Sequence, residues 1–360
     1  MTSLSASPPI EAAGQPVGRR TLHLVDHARE GRAVTVDIWY PAHGEGDGAV
    51  PSHYEPIPGI SFAAANAFER AAVAPGRYPL IVLSHGRTGM RFAYAMLSEA
   101  LAARGAVVVA PDHAGDVMTD WLGGTFVDDR TNEVNRVGDA RFLLDTLLGD
   151  LSAHASAAAA DLAADLAADL GPLAAAIDPG RIAAIGHSYG AYTALATAAG
   201  GRGVPPEHRL GAVVGLQPYT RSMSDAALAR ITTPTLLVLS EFDSTAPIST
   251  DGDRPWALIT GGPVWRLDLL GGAHHASSDM GLYLELAGRI PNLPPMVAAY
   301  VAMMTPDMIG QHLLPWRKGL AVQLEAIWAF LDRTLDIDAA RGEAEAERLA
   351  ALPGVVLQRR

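Results

Sequence analysis

Hydrophobic and polar positions along the chain fall into a repeating series. Ala33 to Trp39 (AVTVDIW) alternates with the period of a half-buried strand and is closed by Tyr40-Pro41. Pro79 to Ser84 (PLIVLS) and Ala106 to Ala110 (AVVVA) are continuous apolar runs, as strands buried on both faces of a parallel sheet require. Arg181 to Gly186, Ala212 to Leu216, Pro234 to Leu239 and Val264 to Leu269 extend the series. Helix-length segments separate them: Phe92 to Arg104, Asn132 to Leu148, Ala191 to Ala199 and Gly319 to Leu335. Strands alternating with helices predict an α/β fold with a mostly parallel central sheet and helices on both faces, in one domain over residues 21–335.

Four segments lie outside this pattern. Residues 1–20 are rich in Ser, Pro and Gly and read as a flexible N-terminal segment. Residues 150–177 carry the near-repeat DLAADLAADL, which predicts a helical insertion with Asp161, Asp165 and Asp169 on one stripe and Leu162, Leu166 and Leu170 on another. The Asp stripe reads as a solvated face. Residues 279–316 are apolar, interrupted by Pro, and hold Met280, Met296, Met303, Met304 and Met308. Flexible methionines suit adaptable apolar binding, so this segment is a candidate lid or substrate wall, with ordinary core helices as the other reading. Residues 336–360, charged and Ala-rich, read as a peripheral C-terminal tail.

Composition narrows the classes. The 360 residues are 49% hydrophobic and 18% charged, too apolar for a disordered chain. With no cysteine there is no disulfide framework, thiolate metal site or thiol nucleophile. A net charge of -12 argues against a nucleic-acid footprint, which needs a clustered basic surface. No charged segment followed by an apolar core opens the chain, and no run of eighteen apolar residues occurs. The expectation is a soluble, cytoplasmic protein without a membrane span.

Chemistry concentrates at Gly186-His187-Ser188-Tyr189-Gly190, a G-x-S-x-G placed between a predicted strand and a predicted helix. That context makes it a nucleophile elbow, in which a strained turn thrusts the serine Oγ out of the sheet and Gly186 and Gly190 leave room for it. A serine hydroxyl needs a base, itself oriented by a carboxylate. Asp243 stands in the loop after the Pro234 to Leu239 strand and is the expected acid; Glu241 sits closer to the strand end. After the next strand, Gly271-Gly272-Ala273-His274-His275 offers two adjacent histidines that point in different directions, so only one reaches Ser188. We take His275 as the base and His274 as the alternative. An oxyanion needs backbone donors worth ~3 kcal/mol each. The N–H of Tyr189 is one expected donor. The other is the N–H of Arg87 in the loop Ser84-His85-Gly86-Arg87-Thr88-Gly89, where the Arg87 side chain could also meet an anionic substrate. His187 is expected to pack into the elbow and His85 to brace its loop.

Together, VDIWYPA, PLIVLSHG, VVVAPDHAG, GHSYGAYTAL, LSEFDSTAP and GGAHHASSD resemble the bacterial dienelactone hydrolase and platelet-activating-factor acetylhydrolase-like branch of the α/β-hydrolase superfamily. The resemblance spans Ala33 to Leu335. It implies an α/β-hydrolase fold with a helical lid or cap, a serine esterase acting without cofactor or metal, and Ser188, Asp243 and His275 as nucleophile, acid and base. Arg87 and Tyr189 become the oxyanion donors. The Gly-small-x-His pattern of relatives, matched by Gly272-Ala273-His274-His275, favours His275. True dienelactone hydrolases use a cysteine nucleophile that this chain lacks.

The expected function is therefore hydrolysis of a small or medium hydrophobic ester, with water and a small-molecule ester as the partners. Acyl transfer to an alcohol or amine uses the same residues. A polyester or phospholipid-type ester is a further substrate class compatible with the triad. From a different class comes a non-catalytic binding protein on a hydrolase scaffold, since a fold does not dictate its function. Asp112, His113 and Asp116 are close in sequence, but their spacing is not that of a metal-ligand set.

Overall fold

The structure, a computed structural model, describes residues 2–4, 14–43, 50–57, 60–149, 170–303 and 314–360. Its strands are β1 (Thr2–Leu4), β2 (Val17–Asp26), β3 (Arg32–Pro41), β4 (Pro51–Ile57), β5 (Ile60–Glu69), β6 (Tyr78–Ser84), β7 (Val107–Pro111), β8 (Ile177–His187), β9 (Ala212–Leu216), β10 (Thr235–Ser240), β11 (Val264–Leu269) and β12 (Val355–Arg359). They form one sheet in the order β1-β5-β2-β3-β7-β6-β8-β9-β10-β11-β12, with β4 paired to β5. The stretch from β7 to β11 is parallel throughout. Antiparallel pairings flank it: β2 on β3, β3 on β7, and β12 on β11.

Helices cover both faces: α1 (Ala95–Ala103), α2 (Met118–Gly123), α3 (Asp129–Leu148), α4 (Tyr189–Ala199), α5 (Asp225–Ala229), α6 (Asp253–Leu258), α7 (Met280–Ala287), α8 (Pro295–Met303), α9 (Trp316–Thr334) and α10 (Ala339–Ala350). The sheet separates two apolar layers. Ile81 and Leu83 of β6 face a core shared with Leu97 and Leu101 of α1 and Ile327 and Trp328 of α9. Leu80 and Val82 face the opposite core, with Leu143 and Leu147 of α3 and Leu195 of α4. The period of two in β6 thus feeds both layers, which is why its sequence is apolar without interruption.

Several elements depart from the sequence expectation. Residues 17–20, assigned above to the N-terminal segment, begin β2, whose Arg19 is buried on Asp37 of β3 at 2.6 Å. A buried arginine within VGRRTLHLVD hides that strand from a hydrophobicity reading. β5 is hidden by its alanines (ISFAAANAFE). The expected tail supplies α10, with Ala346 and Leu349 buried on α9's side of the sheet, and the edge strand β12. Asp161, Asp165 and Asp169 lie outside the described residues, while residues 170–176 are helical with Leu170 and Leu173 buried. Met304 and Met308 also lie outside the described residues. No described helix is long and apolar enough to cross a membrane.

Candidate active site

Four loops at the carboxyl ends of the parallel strands converge, where sheets of this type place ligands. Ser188 directly follows β8 and caps the start of α4, with φ 55° and ψ -119°. For a residue with a Cβ this is strained, and neighbouring contacts hold it. The Ser188 N–H donates to the Leu216 carbonyl at 2.9 Å, and the Ser188 carbonyl accepts from Tyr219 N–H at 3.1 Å. The two glycines are required by space. A Cβ on Gly186 would stand 2.0 Å from the Gly190 oxygen, and one on Gly190 would stand 2.0 Å from the Ser84 oxygen.

Ser188 Oγ lies 2.9 Å from His274 Nε2, and His274 Nδ1 lies 2.8 Å from Asp243 Oδ2. The carboxylate only accepts, so Nδ1–H donates to Asp243 and Nε2 is left to accept the Ser188 proton. Asp243 Oδ1 accepts from the N–H groups of Thr245 (2.9 Å) and Ala246 (2.7 Å), which fixes the carboxylate in its loop. The residue beside the serine is therefore His274, and this corrects the expectation that placed His275 there.

His275 turns away, with its Nδ1 3.0 Å from Ser278 Oγ and its ring at 77° to that of His274. The reason is tertiary. Glu241 N–H bonds the Leu269 carbonyl, Phe242 N–H bonds the Gly272 carbonyl, and Glu241 Oε2 accepts from Gly271 N–H at 2.8 Å. These bonds pull the start of the histidine loop against the acid loop, so the first histidine meets Asp243. Burial and the neighbouring His274 push His275 down to about 3, keeping it neutral.

His187 does more than pack. Its Nε2 lies 2.6 Å from the His274 carbonyl, and its Nδ1 lies 2.7 Å from Tyr94 Oη. A carbonyl cannot donate, so Nε2 carries the proton and Nδ1 accepts from Tyr94. Tyr94 Oη in turn accepts from Gly86 N–H at 3.3 Å. One chain of hydrogen bonds thus ties the loop after β6, the elbow and the histidine loop together. Burial and the two neighbouring histidines hold His187 well below the usual histidine range.

The expected oxyanion residues flank Ser188. Tyr189 opens α4, so its N–H has no intrahelical acceptor. Gly86 and Arg87 line the same cavity as Ser188, and a Cβ on Gly86 would come 3.4 Å from Ser188 Cβ. The Arg87 side chain is already engaged, at 2.7 Å from Asp129 and with its guanidinium 5.4 Å from the Tyr189 ring centre. The cavity holds about 280 Å³. Ser188, His187, His274 and His275 line it, and Trp121, Ala93, Tyr94, Met280 and Tyr283 supply apolar wall. Met280 and Tyr283 come from α7, so part of the 279–316 segment does border the site. Trp316 instead bonds Glu285 at 2.9 Å, and Trp256 lies under the guanidinium of Arg360 at 4.3 Å.

Asp112, His113 and Asp116 go to separate partners: Arg91, Asp139 and Arg136. Among the described residues no three His, Asp or Glu side chains group as metal ligands. His113 also creates a second Ser-His-Asp relay, with Ser84 Oγ 3.2 Å from Nε2 and Asp139 Oδ2 3.0 Å from Nδ1. Ser84, His113 and Asp139 are all buried and none of them lines the cavity. The relay braces β6; it has no room for a substrate. No local motif marks Tyr94, Arg136 and the bridging His187, because these groups act across 50 to 93 residues.

The profile of the family described as platelet-activating factor acetylhydrolase, isoform II, matches residues 62–136. That segment contains the loop after β6, Tyr94 and Arg136. No curated protein matches the chain. Among solved structures, the chain is similar to a ferulic acid esterase from Streptomyces cinnamoneus. They share 24% identity over 92% of each chain, with a TM-score of 0.64. That likeness shows a shared fold.

Proposed function

We propose that this chain is a serine esterase of the α/β-hydrolase superfamily, to which the match over residues 62–136 and the shared fold point, and that it hydrolyses carboxylic esters through an acyl-enzyme formed on Ser188. The observation that carries the reading is the continuous chain Asp243–His274–Ser188, with both links under 3 Å and Ser188 lining a cavity. As Ser188 Oγ attacks the ester carbonyl, His274 Nε2 takes its proton, and Asp243 stabilises the imidazolium through Nδ1–H. The carbonyl oxygen becomes an oxyanion facing the N–H groups of Arg87 and Tyr189. Collapse of the tetrahedral intermediate returns the proton from His274 to the leaving alkoxide oxygen. A water then repeats the sequence on the acyl-enzyme: His274 takes its proton, the carbon–Oγ bond breaks, and Ser188 recovers its hydrogen.

Substrate size follows from the cavity. About 280 Å³ bordered by Trp121, Met280 and Tyr283 suits a short or aromatic acyl group. The fold-sharing ferulic acid esterase makes phenolic acyl groups a natural arm of the test. Ser188→Ala should abolish p-nitrophenyl ester turnover and fluorophosphonate labelling while the melting transition persists. Retained turnover in that variant would overturn the assignment. A series of p-nitrophenyl esters from C2 to C16, run beside phenolic-acid esters, should peak at short or aromatic acyl groups. A flat profile would remove the size argument.

A further inference from the structure

The loop that carries the Arg87 N–H has no regular secondary structure to hold it, yet an oxyanion donor must be aimed to within a fraction of an ångström. What aims it lies behind the loop. Arg136, fully buried in α3, donates from Nη1 to the His85 carbonyl at 2.8 Å and from Nη2 to the Gly86 carbonyl at 3.3 Å. The Gly86 carbonyl also accepts from His85 Nδ1–H at 2.7 Å and from Gly89 N–H at 3.1 Å. His85 is itself fixed, because its Nε2 accepts from His113 N–H at 3.1 Å.

The Gly86 carbonyl and the Arg87 N–H belong to one peptide plane, and among the described residues no peptide bond is cis. In a trans peptide they point in opposite directions. Three donors hold the carbonyl on the Arg136 side, so the Arg87 N–H faces away from Arg136. It has no acceptor among the described residues.

Arg136 also packs on the side chain of the residue that carries the second expected donor, its guanidinium 5.1 Å from the ring centre of Tyr189. Its charge is matched by Asp116 Oδ2, at 2.9 Å from Nε and 2.7 Å from Nη2, and Asn132 Nδ2 donates to the same oxygen at 2.7 Å. A fully buried Arg–Asp pair is a poor device for stability, because desolvation offsets most of its attraction. Its fork geometry suits a different task, gripping two successive carbonyls at once.

We propose that Arg136 is a positioning residue for the oxyanion hole, holding the His85 and Gly86 carbonyls from behind so that the Arg87 N–H stays aimed at the oxygen above Ser188. The proposal rests on the reading of Ser188 as nucleophile and of Arg87 and Tyr189 as oxyanion donors.

The test uses the full chain with Arg136→Met, Arg136→Gln and Arg136→Lys. Each is measured for kcat and KM on a p-nitrophenyl ester, for the inhibition constant of an arylboronic acid that forms a tetrahedral adduct on the serine, and for melting temperature. Arg136→Met is expected to lower kcat ~10²-fold, the cost of a misaimed oxyanion donor, with KM within about threefold of the parent. Boronate affinity should fall in parallel. Arg136→Lys, which keeps a cation but grips one carbonyl, should recover part of both. Should the Met variant not melt cooperatively, the Gln and Lys variants carry the same comparison.

Unchanged kcat and boronate affinity in a folded Arg136→Met or Arg136→Gln variant overturn the clamp. So does a loss of melting temperature that leaves the boronate constant untouched, since that is a purely structural role. Ser188→Ala separates the two layers: activity in that variant sinks the reading of the site, whereas an inactive Ser188→Ala beside fully active Arg136 variants sinks the clamp alone.

Discussion

Replacing His274 or His275 by alanine distinguishes two neighbours that differ by one position in sequence and by everything in geometry. His274→Ala removes the Nε2 acceptor 2.9 Å from Ser188 Oγ and the Nδ1 donor 2.8 Å from Asp243. Loss of a general base that works as a unit with its nucleophile should lower kcat/KM by ~10⁴-fold or more. At 1.36 kcal/mol per decade this is roughly 5.5 kcal/mol of transition-state stabilisation. Stability should move little, by about 1–2 kcal/mol, because Asp243 keeps the Thr245 and Ala246 N–H groups and is not left unpartnered. His275→Ala gives up one neutral hydrogen bond, to Ser278 at 3.0 Å, worth about 1 kcal/mol, and opens space beside the cavity. Its kcat/KM should stay within about tenfold of the parent, since no bond of the Ser188 relay is touched. Steady-state turnover of a short p-nitrophenyl ester, with melting curves on each variant, reads both quantities. Free imidazole should restore part of the activity of His274→Ala alone. A crippled His275→Ala beside a working His274→Ala would refute the geometric reasoning.

Gly190→Ala places a Cβ against backbone, 2.0 Å from the Ser84 oxygen, so β6 or the elbow must move. We expect more than ~3 kcal/mol of destabilisation, seen in chemical denaturation, together with loss of fluorophosphonate labelling. A stable, reactive Gly190→Ala would contradict the elbow packing. Tyr94→Phe leaves His187 Nδ1 without its donor and Gly86 N–H without its acceptor. Urea unfolding should show a loss of about 1–3 kcal/mol, and a stability equal to the parent's would show that the bridge contributes nothing. Acid should unfold the protein through its buried histidines. Burial lowers His113 to about 4 and His275 to about 3, and it holds His85 and His187 well below the usual range. The unfolded chain takes up these protons near pH 6.5 and the folded chain does not, so stability is present above that pH and is lost as pH falls toward the folded values. His113 and His275 alone cost roughly 2 kcal/mol per pH unit between pH 6 and 4. Asp279, whose carboxyl is raised by burial, offsets part of this with the opposite sign. Melting temperature should drop steeply between pH 6.5 and 4.5, and a flat profile there would count against the neutral buried histidines.

Local pattern made much of the molecule legible. The strands from β6 to β11 each contain a short run dominated by Val, Ile, Leu and Ala, because burial on both faces favours apolar residues there. Those six strands and the helices α1, α3, α4 and α9 can be read within a few residues of their bounds. Ser188 is legible for a steric reason: only Gly fits at 186 and 190, so the elbow writes itself into five consecutive residues. Elements stabilised by partners outside their own run are not legible. β2 carries a buried Arg19 that reads as surface until Asp37 is seen beside it, and β12 is an edge strand whose pairing comes from β11.

The same division runs through the candidate site. Residue types and chain order point to a serine, a later acid and a later histidine, since each must follow a parallel strand to reach one end of the sheet. Which of two adjacent histidines faces Ser188 depends on the bonds from Glu241 and Phe242 that draw the two loops together. Arg136 reaches the loop after β6 across 50 residues, and His187 reaches the His274 carbonyl across 87. A sequence records which groups are present; only packing decides the direction in which a side chain or a peptide plane is turned, because that direction is set by donors and acceptors brought together from distant parts of the chain.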